Sequence, residues 1–202
     1  MSFRSGGDMC LGFFETFWEQ GLLPEITKGG RVLEIGCAEA DWLTPMRQAR
    51  PDLYLVGIDQ RSTGDRNGAD EIILADVLTY GAFKEAEFDA IIAVSMIEWA
   101  GMGHYKDPKD EQGDAVTLRK ARYWIKPDGW LYFDVPYANP DHQKDTRRHN
   151  PDMRVYDDAY FARLFEETGW QAMTRSFFRG TLNNEQAHPD GPYMAHILKP
   201  RS

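Results

Sequence analysis

Residues Val32–Trp42 run Val-Leu-Glu-Ile-Gly-Cys-Ala-Glu-Ala-Asp-Trp. An apolar run breaks at Gly36 and passes into a helix-compatible segment. Such a turn gathers backbone N–H groups and a helix N-terminus at one point, a device that holds the polar part of a nucleotide. It is not a phosphate loop, because no Gly-Lys-Ser/Thr follows. It is also a poor dinucleotide fingerprint. The second glycine of that motif is Ala38 here, and Glu39 and Asp41 add two carboxylates to the first helical turn. Those charges repel a pyrophosphate and tolerate a cationic or zwitterionic group. The ligand chemistry this implies is a nucleoside carrying positive charge. Glu34, Gly36, Cys37, Ala38 and Trp42 border the turn, with Cys37 a small filler rather than a nucleophile.

Two further carboxylates extend the pattern. Asp59 closes the next apolar run, followed by Gln60. A carboxylate there can accept both hydroxyls of a ribose. Asp76 and Val77 follow a third run, where the side chain can accept from an adenine amino group and the Val77 N–H can serve a ring nitrogen. Each aspartate alone reads as a turn or cap residue. At successive strand ends, in this order, they mark a nucleoside site.

The next strand ends at Ser95 and leads into Glu98-Trp99 and Gly101-Met-Gly103-His104-Tyr105. If a hydroxyl is the reacting group, a base within hydrogen-bond reach helps. His104 and Glu98 are the nearest candidates along the chain, and Glu98 could equally cap a helix. The glycines permit close backbone approach to a ligand. Tyr105 and Tyr137 are candidates for the wall of an acceptor pocket. Lys144, Arg147, Arg148 and Arg154 lie beside Asp141, Asp145 and Asp152, which reads as self-paired surface charge. His104, His142, His149, His188 and Asp190 match no zinc spacing, so no metal site is expected.

The elements that must position these residues alternate. Asp8–Gln20 has helical spacing of Leu11, Phe14, Phe17 and Trp18. Strands are expected over Arg31–Gly36, Leu53–Asp59, Glu71–Ala75, Phe88–Ser95, Trp130–Pro136, Trp170–Phe178 and Tyr193–Leu198. Helices are expected over Glu39–Arg50, Gln112–Lys126 and Asp157–Thr168, with short helix-to-strand connections at Pro51-Asp52, Glu85–Glu87, Pro127–Gly129 and Gly169. This is an α/β pattern: a single doubly wound, mostly parallel seven-stranded sheet with one antiparallel strand in a C-terminal hairpin. Residues 1–30 read as an N-terminal helical segment packing on a core domain of residues 31–202. The long connections, Gln60–Asp70, Glu98–Glu111, Tyr137–Tyr156 and Arg179–Pro192, all follow strand ends on one rim, where open α/β sheets bind ligands.

Composition narrows the class. The chain has 202 residues, 42% of them hydrophobic, and a net charge of −9. That hydrophobic content excludes disorder for most of the chain. The charge disfavours a nucleic-acid partner. Two cysteines make no disulfide framework and fit a reducing cytoplasm. No apolar run approaches a membrane span. No feature points to an oligomeric state.

Glu34-Ile-Gly36-Cys-Ala38, Asp59, Ala75-Asp76-Val77, Phe88-Asp89-Ala-Ile-Ile and Lys126-Pro127-Asp128-Gly129 before a strand resemble, in order and spacing, the class I S-adenosylmethionine-dependent methyltransferases. The resemblance spans Val32–Pro136. It departs at Ala38 and Ala40, where glycine is usual, and at Gln60, where an apolar residue is common. It implies that Glu34 and the Gly36 turn hold the methionine ammonium and carboxylate, Asp59 the ribose and Asp76 the adenine, and that the Ser95 backbone faces the methionine. A second resemblance, over Ser95–Pro136, is to methyltransferase-like proteins of surface-polysaccharide biosynthesis, many of which carry Glu-His where this chain has Glu98-Trp99. The expected function is methyl transfer from S-adenosylmethionine to a small molecule such as a sugar or other hydroxylated metabolite. A nicotinamide-dependent oxidoreductase and a non-catalytic domain that binds S-adenosylmethionine or a nucleoside are the alternatives.

Overall fold

A computed structural model describes residues 22–38, 42–62, 68–105, 107–137, 153–179 and 192–201. Strand β1 (Arg31–Ile35) is apolar on both sides. Val32 joins one hydrophobic layer, while Leu33 and Ile35 join the other. The split recurs along β4 (Phe88–Val94), where Ala90 and Ile92 side with Val32, and Ile91 and Ala93 with Leu33. Strands apolar on both faces need cover on both faces, the condition under which parallel sheets form.

The remaining strands are β2 (Tyr54–Asp59), β3 (Glu71–Leu74), β5 (Ile125–Pro136), β6 (Trp170–Arg179) and β7 (Pro192–Pro200). One sheet of order β3-β2-β1-β4-β5-β7-β6 contains all seven strands of the described residues. Strands β1 to β5 pair in parallel, and β7 runs antiparallel to both β5 and β6. This is the expected doubly wound sheet with its C-terminal hairpin. Helices α3 (Gly113–Trp124) and α4 (Asp158–Thr168) cover one face through Leu118, Ala121, Trp124, Phe161, Leu164 and Phe165. On the other face lie α1 (Leu23–Glu25) and α2 (Leu43–Ala49), with Leu23, Ile26, Trp42, Leu43 and Met46. The segment Asp8–Gln20 lies outside the described residues, as do residues 39–41 of the helix expected to start at Glu39.

Local chemistry sets the ends of α4. The Asp157 carboxylate accepts the Tyr160 N–H at 2.7 Å, and Gly169 closes the helix at φ 75°. Two expectations need correction. The helix expected to run to Lys126 stops at Trp124, and Ile125 is already extended. Pro127 disfavours a helical conformation at the residue before it. β5 pairs Ile125 with Phe88 and then Trp130 with Ala90, so Lys126–Gly129 bulges out within the strand instead of preceding it. The Lys126 ammonium holds the bulge to Asp89 at 2.8 Å. Between β3 and β4 there is no helix before Glu85; residues 77–79 form turns, and Val77 and Phe83 still plug the core.

His196 lies in the middle of β7 and is 3% exposed. Phe133, Phe161 and Phe165 surround its ring at 4.8–5.4 Å, and neither ring nitrogen completes a hydrogen bond among the described residues. Burial, reinforced by the Arg175 charge on the neighbouring strand, lowers its pKa to about 4. The unfolded chain takes up a proton near 6.5, so between those values the unfolded state binds more protons than the folded one. Stability therefore falls as pH drops from 6.5 towards 4. The linked loss is roughly 3 kcal/mol. Urea unfolding at stepped pH should show wild type losing that much more stability than His196→Leu, and parallel curves would contradict the account.

Candidate active site

The turn after β1 is built around an absent side chain. Gly36 has φ 85°, and a Cβ there would lie 2.6 Å from Met96 in the turn after β4. The Gly36 N–H donates to Ile58 O at 2.8 Å. Cys37 fills the space over Gly57, where a Cβ would meet Sγ at 2.6 Å. Burial, then Glu34 and Asp59, push its thiol pKa far up, so Cys37 holds its proton and is not a nucleophile. Glu34 is buried at the end of β1, whereas Trp42 is 1% exposed and belongs to the second core, presenting almost no surface to a ligand.

Asp59 ends β2 and is 7% exposed. Its Oδ2 accepts the Ala38 N–H at 3.0 Å, and its Oδ1 accepts the Arg61 N–H at 2.8 Å. One carboxylate thus fixes both neighbouring turns. The Arg61 guanidinium also reaches it, Nε to Oδ1 and NH2 to Oδ2, each at 3.2 Å. Gln60 between them is half-buried. Past β3, Asp76 Oδ1 accepts the Leu78 N–H at 2.9 Å and its carbonyl takes the Thr79 and Tyr80 N–H groups, with Val77 buried beside it.

Ser95 leaves β4 at φ 43°, a left-handed conformation that costs energy in a residue with a side chain. Asp134, 0% exposed near the end of β5, holds it there. Asp134 Oδ1 accepts the Ser95 N–H at 2.8 Å and its hydroxyl at 3.1 Å, while Oδ2 accepts the Tyr132 hydroxyl at 3.1 Å. A short 3-10 turn, Ile97–Trp99, follows. It buries Glu98 to 2% exposure, and Oε2 completes no hydrogen bond among the described residues. Desolvation, with Asp134 adding like charge, raises the Glu98 pKa well above the usual range. His104 is exposed, its ring 4.8 Å from those of both Trp99 and Tyr105. Asp107 shapes this loop by accepting the Gly103 and Tyr105 N–H groups, each at 3.2 Å. The loop meets the turn after β2 directly, because the Arg61 guanidinium lies 4.2 Å from the Tyr105 ring centre.

Arg154 was expected in self-paired surface charge. It is instead a half-buried clamp, 12% exposed in its side chain. Its backbone N–H donates to Glu98 O at 3.1 Å, its guanidinium bonds the carbonyls of Ala100 and Asp110, and it lies 3.8 Å from the Asp114 carboxylate. Asp114, fully buried at the start of α3, also accepts the Tyr160 hydroxyl at 2.8 Å. The other basic residues of that stretch, with His142, His149, His188 and Asp190, fall outside the described residues. Among the described residues no three potential ligands gather as a metal site.

These groups converge on the carboxyl rim of the parallel strands. Arg61 and Asp134 were missed in the sequence, and Arg154 was read only as surface charge. A charge inside the apolar run Leu-Tyr-Phe-Asp134-Val-Pro was a usable signal for Asp134. Nothing local marked Arg154, whose partners Glu98, Ala100, Asp110 and Asp114 are all distant in the chain. The residues present suit a cationic nucleoside. A turn lacking side-chain bulk lies beside the buried Glu34, and the Asp59 carboxylate ends the neighbouring strand and bonds that turn.

The family described as "Methyltransferase domain" matches residues 16–174. The chain therefore belongs to that family. No curated protein matches its sequence. Its fold is similar to that of the N-methyltransferase NodS from Bradyrhizobium japonicum WM9, solved with S-adenosyl-L-homocysteine, at TM-score 0.66 and 14% identity over 98% of this chain and 90% of that one. An S-adenosylmethionine-dependent methyltransferase from Methanosarcina mazei gives 0.65 at 11% identity, over 89% and 96%. The [4+2]-cyclase SpnF gives 0.67 at 12%, over 94% and 80%. Sheet order and family together define a class I S-adenosylmethionine-dependent methyltransferase. Its cofactor is S-adenosylmethionine.

The clamp generates a stability prediction. Arg154→Met removes three side-chain interactions and leaves Asp114 as a buried charge with one less partner. The expected loss is about 3 kcal/mol, by analogy with half-broken buried pairs. Arg154→Lys keeps the charge but not the fork and should fall between. A denaturant midpoint unchanged in Arg154→Met would contradict the clamp.

Proposed function

We propose that the protein transfers the methyl group of S-adenosylmethionine to a hydroxyl of a small molecule, a sugar or another hydroxylated metabolite, with His104 accepting the hydroxyl proton. The observation that carries this reading is the position of His104. It is an exposed imidazole on the loop after β4, in contact with Tyr105, which itself touches the Arg61 guanidinium bound to Asp59.

The cofactor supplies an already activated methyl sulfonium, so the chain's work is alignment and exclusion of water, together worth several kcal/mol of barrier. In this reading Asp59 accepts the ribose hydroxyls, and Glu34 with the Gly36–Ala38 turn binds the methionine ammonium and carboxylate. Asp76 and the Val77 N–H read the adenine edge. The Ser95 backbone, held by Asp134, lines the methionine side. Glu98 is the weaker candidate for the base, because burial raises its pKa well above the usual range and favours the protonated form. Tyr105 and Tyr137 line that site. The net charge of −9 supports a small acceptor over a nucleic acid. No described helix is long and apolar enough to cross a membrane, and a cytoplasmic location completes the reading.

The test measures methyl transfer from labelled S-adenosylmethionine across a panel of sugars, nucleotide sugars and phenols. With the acceptor found, His104→Ala should lose roughly 10²–10⁴ in turnover, the usual worth of positioned acid–base catalysis, while S-adenosylhomocysteine binds as before. Turnover close to wild type in His104→Ala would remove His104 from the chemistry.

A further inference from the structure

The Asp59 carboxylate is fully engaged. A carboxylate offers about four acceptor positions, and four donors meet Asp59: the Ala38 N–H at 3.0 Å, the Arg61 N–H at 2.8 Å, and the Arg61 Nε and NH2, both at 3.2 Å. The two backbone bonds hold the turns after β1 and β2. The two guanidinium bonds are the longest, and they alone can be given up without opening a turn. Adjacent ribose hydroxyls present the same pattern as the guanidinium edge, two parallel donors aimed at two oxygens. Arg61 and a ribose therefore compete for the same acceptors.

Arg61 has somewhere to go. Its guanidinium already stacks 4.2 Å from the Tyr105 ring, a contact that attracts a cation independently of Asp59. The Tyr105 N–H is fixed by Asp107, and the ring touches Trp99 and His104. A change at Arg61 therefore reaches the loop that carries His104.

We propose that Arg61 is a determinant of donor affinity that occupies the ribose-binding oxygens of Asp59 until the cofactor displaces it, and that its release is transmitted through Tyr105 to the His104 loop. The proposal rests on the assignment of Asp59 to the ribose. A competitor built into the chain lowers apparent affinity by the fraction of molecules in which it is seated. Removing it therefore strengthens binding, which distinguishes it from a residue that holds the ligand or merely supports the fold.

The experiment is calorimetry of S-adenosylhomocysteine with wild type, Arg61→Met and Arg61→Lys. Met keeps most of the apolar stem against Tyr105 and removes the fork. Arg61→Met should bind about three- to tenfold more tightly than wild type. Arg61→Lys, with one point donor in place of two, should fall between, and carries the same sign if the Met variant fails to fold. Equal or weaker binding in folded variants overturns the proposal. No binding to any of the three proteins removes the cofactor assignment and the proposal with it. Hydrogen exchange tests the second half. The Gly103 and Tyr105 amides should change exchange when S-adenosylhomocysteine is added to wild type, and Arg61→Met alone should already show that change. Amides indifferent to both ligand and substitution would overturn the link to the loop.

Discussion

A carboxylate taken out of water needs hydrogen-bond donors in exchange, or burial costs several kcal/mol. Along the carboxyl rim of this sheet those donors are mostly backbone amides of the rim turns. Asp59 takes them from Ala38 and Arg61, Asp134 from Ser95, Asp107 from Gly103 and Tyr105, and Asp114 from Ala115. Asp59, Asp134 and Asp107 each satisfy their own desolvation by fixing a turn, and Asp114 by taking the Ala115 N–H at its own helix start. The rim is thereby shaped by the same side chains that give it negative potential. That potential suits a cationic sulfonium, and neutralising any one of these acids would disturb a loop as well as a charge.

Glu98 shows the rule from the other side. It sits in the same rim, as deeply buried as Asp59, but one of its oxygens finds no donor among the described residues. The outcome is a raised pKa instead of a fixed turn. Asp134, with donors from Ser95 and Tyr132, contributes to that outcome through its charge. Two acids of similar chemistry, Asp134 and Glu98, thus differ: one organises backbone, and the other has its pKa raised by burial. Environment alone assigns the roles.

The sheet was legible because its signals are local. Apolar runs of strand length, the Asp157 cap and the Gly169 stop are read within a few residues of where they act. The order Gly36, Asp59, Asp76 was legible because strand ends in a parallel sheet project loops to one edge. What escaped was set by distant partners. Pro127-Asp128-Gly129 carries every mark of a loop, and it enters β5 as a bulge because Asp89 and Phe88 on the neighbouring strand claim its flanks. Arg154 has the composition of a surface charge, and only the convergence of Ala100, Asp110 and Asp114 on one point makes it a clamp. Arg61 lies two residues from Asp59, but its stacking on Tyr105 is set by the loop after β4, far along the chain.

The chain leaves the sheet at Tyr137 and returns at Tyr156, and these two residues form a bridge. The Tyr156 N–H bonds Pro136 O at 3.1 Å, and Arg154 ties the returning strand to the loop after β4. Both ends of the intervening segment are therefore fastened to the scaffold independently of what lies between them. For a loop closed in this way, doubling the length changes the closure entropy by only about 0.6 kcal/mol. Chain of a different length can therefore be spliced between these anchors without reopening the sheet, and the seam is a single pair of tyrosines.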